Sequence, residues 1–174
     1  MINYDIGKPL FSPEQIQLKV SELADRISCD YAGKEILAIG ILKGAFIFFA
    51  DLVRLLTIPV KVDFIIAVSY AKTTTTGEVK VFYEPKEDIT GKDVLLIDDI
   101  VDTGISINFN RERILSLCPA SLKTCVLLDK KERRIVDVPI DYVGFEIPDK
   151  FVVGYGLDFE NHFRNLPYIA ALKN

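Results

Sequence analysis

A mainly parallel, twisted α/β sheet is the fold that this sequence predicts, on three observations. Apolar runs rich in branched residues, such as Ile36–Leu42 and Val94–Ile97, are continuous rather than alternating, as strands buried on both faces are. Segments with helical spacing stand between them, and alternating strands and helices make parallel strands joined by right-handed crossovers. A short apolar run, Val94–Ile97, meets charge abruptly at Asp98, Asp99 and Asp102, followed by Thr103 and Gly104. Open α/β sheets bind ligands where strands end and helices begin.

Ser12 starts the first helix as N-cap, with Pro13 in the first turn and Gln15 at the capping-box position. Ile16, Val20, Leu23 and Ile27 share one face, and Gly33 ends the segment. Ile36–Leu42 is a buried strand. Lys43-Gly44 follows, either an anion nest or an ordinary surface loop, and then an apolar helix, Ala45–Leu56. Val60–Ser69 is a strand. Tyr70–Gly77, polar and rich in threonine, reads as a solvated hairpin loop or as a lid over a site. Val79–Tyr83 returns, and Gly91-Lys92 leads into Val94–Ile97. Ile105–Leu117 is a helix with Ile105, Phe109 and Ile114 facing inward, stopped by Pro119.

Leu122–Leu128 is the next strand. The charge run Asp129–Arg134 after it reads as a solvated face, with only Lys130 turned to a crevice. Tyr142–Glu146 is a strand, Ile147–Lys150 a turn, and Tyr168–Leu172 a last strand. Burial preference places Phe151 in the core rather than on a stacking surface. Asp158 and Arg164 read equally as turn and surface residues or as a ligand and an anion clamp.

The 174 residues, 49% of them hydrophobic, suit one domain with a sizeable core. A net charge of -4 argues against broad attraction to nucleic acid or an anionic membrane. Three cysteines without a CxxC pair and a single histidine argue against a zinc site or a disulfide framework, and for a reducing compartment. MINYDIGKPLF is too polar for a signal peptide, and Ala45–Ala50 is too short to span a bilayer. The chain has neither G-x-G-x-x-G after a strand nor a Walker A motif, which disfavours a dinucleotide enzyme, a kinase or a P-loop NTPase.

The chemistry therefore centres on Val94–Ser106, VLLIDDIVDTGIS. Thr103, Ser106 and the free N–H groups of a helix start, with Gly104 allowing close approach, can hold a phosphate. Asp98 and Asp99 can accept hydrogen bonds from sugar hydroxyls or approach a metal. Asp102 stands between the two groups. Aspartates after a strand also cap helices, so spacing alone leaves both readings open.

DDIVDTG behind four apolar residues resembles the phosphoribosyl-diphosphate (PRPP) signature of the type I phosphoribosyltransferases. Four blocks occur in family order: Leu42-Lys43-Gly44, Ser69-Tyr70, DDIVDTG, and GFEIPDKFVVGYGLDF from Gly144 to Phe159. Together they resemble the 6-oxopurine, hypoxanthine-guanine branch, and the long last block sets it apart from other phosphoribosyltransferases. The resemblance implies the type I fold as a single domain over 1–174: a mainly parallel twisted sheet flanked by helices, with a small hood from about 1–11 and 145–174.

The resemblance also implies roles. Asp98 and Asp99 would hold the ribose hydroxyls of PRPP, and Asp102 would be the general base near purine N7. Thr103, Gly104 and Ser106 would cradle the 5′-phosphate, with Ile100, Val101 and Ile105 in the same PRPP-binding segment. Leu42, Lys43 and Gly44, through a non-proline cis peptide, and Arg164 would bind pyrophosphate. Lys130 would donate to purine O6, Phe151 would stack on the ring, and Val152 would present its backbone to the pyrimidine edge. Asp158 would border the purine and help hold Mg²⁺, with Asp98 and Asp99 also near the metal. Ser69 and Tyr70 would belong to a closing lid.

The family commonly has Glu-Asp where this chain has Asp98-Asp99, so the shorter Asp98 would reach the ribose through a water. The implied reaction is purine salvage: the phosphoribosyl group passes from PRPP to N9 of hypoxanthine or guanine, giving IMP or GMP and pyrophosphate. The resemblance further implies a cytoplasmic homodimer or homotetramer that binds neither nucleic acid nor membrane. Two rivals are a PRPP-binding regulator acting on nucleic acid, which would carry an added domain or a basic face, and a same-fold enzyme for another base.

Overall fold

A computed structural model of the chain describes residues 6–69 and 79–173. The elements run β1 (Ile6–Phe11), α1 (Pro13–Asp30), β2 (Ile36–Leu42), α2 (Phe46–Leu55), β3 (Val60–Ser69), β4 (Val79–Tyr83) and β5 (Asp93–Val101). Then come α3 (Ile105–Ser116), β6 (Ser121–Asp129), a 3-10 turn (Lys131–Arg133), β7 (Tyr142–Glu146), β8 (Val152–Val153) and β9 (Ile169–Leu172). The main sheet has the order β4-β3-β2-β5-β6-β7. Five of its strands are parallel, and β4 returns antiparallel on the β3 edge. β1, β9 and β8 form a separate antiparallel sheet, the hood expected from the two ends of the chain. Tyr70 and the rest of the Tyr70–Gly77 segment lie outside the described residues.

Successive side chains of a strand point to opposite faces, and here both faces are covered. Ile36 and Ala38 of β2 and Leu95 and Ile97 of β5 join Ile16, Val20, Leu23, Phe48 and Leu52 of α1 and α2 in one core. Leu37, Ile39, Val94 and Leu96 join Ile107 and Ile114 of α3 in a second core on the other face. Two covered faces are why these strands read as unbroken apolar runs. Ser12 caps α1 through the full capping box with Gln15. The stacked rings of Phe11 and Phe145, 4.0 Å apart, fasten the hood sheet to β7.

Three details depart from the sequence reading. β1 and β8 carry no periodic signal, because the hood is made by pairing distant segments: Pro9 lies opposite Ala170, and Val152 opposite Ala171. The central strand continues past Ile97 to Val101, since Asp98, Ile100 and Val101 still pair with Val126, Leu128 and Asp129 of β6. The inward face of α3 is also a correction. Ile114 is buried with Ile107, but Ile105 is exposed, and Asn110 and Arg111 are buried in its place. Their donors are served locally: Asn110 Nδ2 donates to the Ser106 carbonyl at 3.0 Å, and Arg111 donates to Thr124 Oγ1. A helix face holding an amide and a guanidinium has no clean hydrophobic stripe to read.

Candidate active site

The chain leaves β2 toward β3 on one side and β5 toward β6 on the other. The strand order therefore reverses between β2 and β5, the place where open α/β sheets bind ligands. The β2–β5 register ends at Gly40 and Ile97, so the two chains part just before Asp98. A cleft of about 570 Å³ opens there, within the size range of small-molecule sites. Its walls bring together Leu42 and Gly44, Asp98 to Ile100, Asp102 and Ser106, Lys130, Phe151 and Val152, and Asp158 with Arg164. Segments far apart in sequence thus share one space.

The floor is acidic. Asp98 and Asp99 are buried, and the Asp99 N–H donates to Asp98 Oδ1 at 2.9 Å. Burial, and then the charge of Asp99, push the Asp98 carboxyl well above the usual carboxylate range; burial raises Asp99 too. The Leu42–Lys43 peptide bond is cis. A Cβ on Gly44 would come 1.9 Å from Asp99 Oδ2, so only glycine lets this loop lie against the acidic pair.

Two helices begin at the cleft without a side-chain cap, α2 at Ala45 and α3 at Gly104, unlike the self-capped α1. Their leading N–H groups are the donors an anion would use. Gly104 has φ 85°, and a Cβ there would meet the Val136 carbonyl at 2.5 Å. The Ile135 and Val136 N–H groups both donate to the Thr103 carbonyl, at 2.9 and 3.0 Å, so that oxygen is occupied away from an incoming phosphate. Ser106 lines the cleft, whereas Ile105 is exposed and Val101 is buried in the core.

Lys130 is buried, and its N–H donates to the Val101 carbonyl at 2.9 Å, which fixes it beside the end of β5. Its ammonium lies 3.7 Å from Asp102 and 3.9 Å from Asp149. The core placement of Phe151 is corrected. The ring is 51% exposed on the cleft wall, set edge-on against Phe159, because the hood overhangs the site rather than filling the core. Arg164 is held by Asp158 at 2.6 Å and by the Gly156 carbonyl at 2.7 Å. The Lys43 side chain is exposed and does not line the cleft, so this loop offers backbone there. Arg133 and Asp149, also on the wall, were missed from the sequence: one was hidden in a charge run and the other in a turn.

An acidic strand end, an uncapped glycine loop and an overhanging hood at the switch point define a phosphoribosyltransferase, and the family model "Phosphoribosyl transferase domain" matches residues 10–160. The hypoxanthine-guanine phosphoribosyltransferase of Aquifex aeolicus is 49% identical over 96% of this chain and 95% of its own length. That of Streptococcus agalactiae is 42% identical over 99% and 97%. A Bacillus anthracis hypoxanthine-guanine phosphoribosyltransferase crystal structure, 46% identical, superposes with a TM-score of 0.92 over 98% of this chain and 100% of that one. The chain belongs to the hypoxanthine-guanine phosphoribosyltransferases, purine salvage enzymes of the type I phosphoribosyltransferase family.

Proposed function

We propose that residues 1–174 act as one catalytic domain that binds PRPP and a 6-oxopurine together in this cleft, with each wall taking one part of the pair. The 5′-phosphate lies against Thr103, Gly104 and Ser106, where the α3 N–H groups are uncapped. Asp98 and Asp99 take the ribose hydroxyls, Asp98 through a water. The Leu42–Gly44 backbone and Arg164 take the pyrophosphate. Phe151 stacks on the purine, the Val152 backbone meets its pyrimidine edge, and Lys130 donates to O6. N9 then forms its bond to the ribose C1 as the bond from C1 to pyrophosphate breaks, and the N7 proton passes to Asp102.

One observation carries this reading: Lys130 and Asp102 stand 3.7 Å apart between the acidic floor and the exposed Phe151 ring. A flat base seated on that ring meets a donor and an acceptor on one edge, as O6 and N7–H require. Adenine presents an amino group at position 6, a donor facing a donor.

Mg²⁺ fits the residues present. Among the described residues no group of three or more His, Cys, Asp or Glu forms a metal cage. Mg²⁺ ordinarily keeps several waters and takes one or two carboxylates plus substrate phosphates. Asp98 and Asp99 on one wall and Asp158 on the other offer that donor set, and two adjacent buried carboxylates favour a cation. When bound, the metal would neutralise the departing pyrophosphate.

The test is an assay of the purified protein with PRPP, Mg²⁺ and each base in turn. Pyrophosphate release with hypoxanthine or guanine and none with adenine is expected. Equal use of adenine would overturn the role given to Lys130.

A further inference from the structure

Four charged side chains close a square on the purine side of the cleft. Lys130 Nζ lies 3.7 Å from Asp102 Oδ2 and 3.9 Å from Asp149 Oδ1. Arg133 reaches the same two carboxylates with different nitrogens, its Nε 3.1 Å from Asp102 Oδ1 and a terminal nitrogen 3.4 Å from Asp149 Oδ1. The corners come from three segments: the β5–α3 loop, the turn after β6, and the turn before β8. The mechanism above uses Lys130 and Asp102 and leaves Arg133 and Asp149 without a task.

In this square each cation faces both carboxylates, so a ligand that takes one cation leaves the other in place. Purine O6 takes Lys130, and Asp102 then keeps Arg133 alone. A carboxylate that must receive a proton from N7 works best when it cannot rotate away from the base. Arg133 Nε sits beside Oδ1, a shielded oxygen with no hydrogen bond of its own, and so leaves Oδ2 for the incoming proton. The forked guanidinium meets the two carboxylates with separate nitrogens at 3.1 and 3.4 Å, whereas the Lys130 ammonium faces both from one point of charge at 3.7 and 3.9 Å.

We infer that Arg133, anchored by Asp149, is a positioning residue of the purine subsite that fixes the Asp102 carboxylate while Lys130 is drawn to the base. The inference rests on the roles of Asp102 and Lys130 proposed above. Asp149 lies two residues before Phe151, so the same link joins the turn that carries the stacking ring to the proton acceptor. Arg133 and Asp149 are about half exposed, at 46% and 52%, so their pair contributes little to folding. Loss of function and loss of stability therefore separate.

The experiment is steady-state kinetics and thermal melting of Arg133→Met, Arg133→Lys, Asp149→Asn and the Arg133→Met/Asp149→Asn double variant, with Asp102→Asn as reference. Arg133→Met should lower kcat/KM for hypoxanthine about tenfold, inside the roughly 2- to 150-fold range of residues coupled in one network. The loss should fall mainly in kcat, with KM for PRPP and the melting temperature close to the parent's. Arg133→Lys should be intermediate. The double variant should be no slower than Arg133→Met, since both changes break one link. Should Arg133→Met not fold, Arg133→Gln takes its place.

Parent-like turnover of Arg133→Met beside a slow Asp102→Asn would overturn the inference and leave the general base standing. Equal losses toward PRPP and purine with a lowered melt would also overturn it, as a purely structural role. Multiplying effects in the double variant would remove Asp149. A fast Asp102→Asn would instead remove the base on which the inference rests.

Discussion

Asp102 lies three residues beyond Asp99, far enough along the chain to leave the acidic floor and face Lys130. A carboxamide keeps the shape of this side chain and cannot take a proton. Asp102→Asn should therefore still bind PRPP while kcat falls about 10²–10⁴-fold, the usual contribution of a positioned acid–base group. Were Asp102 only a helix cap, asparagine would serve as well, and kinetics beside a thermal melt would show a nearly unchanged rate. Lys130→Ala removes the donor proposed for O6 and should cost about 1.5–3 kcal/mol of purine binding, with PRPP binding little affected. Calorimetric titration of each ligand checks the split; equal weakening of both would place Lys130 outside the purine subsite. Among single residues, those in the DDIVDTG block were legible because several chemical types crowd into a short stretch. Arg133 was not legible, because one arginine in a run of charges looks like its solvated neighbours until the 3-10 turn brings it back toward Asp102.

Among the elements, the helices divide by how they begin. α1 satisfies its own first turn with Ser12 and Gln15, whereas the N-cap residues of α2 and α3, Ala45 and Gly104, give no side-chain cap. At α3 the left-handed Gly104 is pressed against the Arg134–Val136 stretch. Gly104→Ala should cost about 1–3 kcal/mol of stability, from left-handed strain and the clash with the Val136 carbonyl. It should also raise KM for PRPP roughly tenfold, because the carbonyl of Thr103 is held by that same stretch. Denaturant melts and PRPP titrations test both; an unaltered KM would separate this loop from phosphate binding. Strands β2 and β6 and helix α1 were readable, since a local period or apolar run reports burial directly. The paired strands β1 and β8 were not, since each is short and exists only through its partner β9.

For the whole molecule, ligands that bind the folded state stabilise it by mass action. PRPP with Mg²⁺ at a hundredfold its Kd should add about 2.7 kcal/mol. That corresponds to roughly 5–10 °C in melting temperature for a domain of this size. With a chelator in place of Mg²⁺ the shift should shrink. An undiminished shift would mean that no metal assists PRPP binding. Thiol titration reads the same global fold. Cys29 and Cys118 are exposed, while Cys125 is buried and its thiol is pushed upward by burial. Two thiols should react in the folded protein and the third only on unfolding; fast reaction of all three would contradict the core placement of Cys125.

By itself the sequence determined the alternation of strands and helices, the capped first helix and the acidic block at a strand end. Each of these depends on neighbours within a few residues, where spacing and side-chain chemistry act directly. Tertiary structure alone decided that Gly44 lies against Asp99, that Phe151 stands exposed on the cleft wall, and that Arg133 links Asp102 to Asp149. Those contacts join residues tens of positions apart, and they arise from the reversal of strand order between β2 and β5 and from the closing of the hood by β9. A local pattern records whether a residue is buried, and only the packed sheet fixes which distant residue it faces.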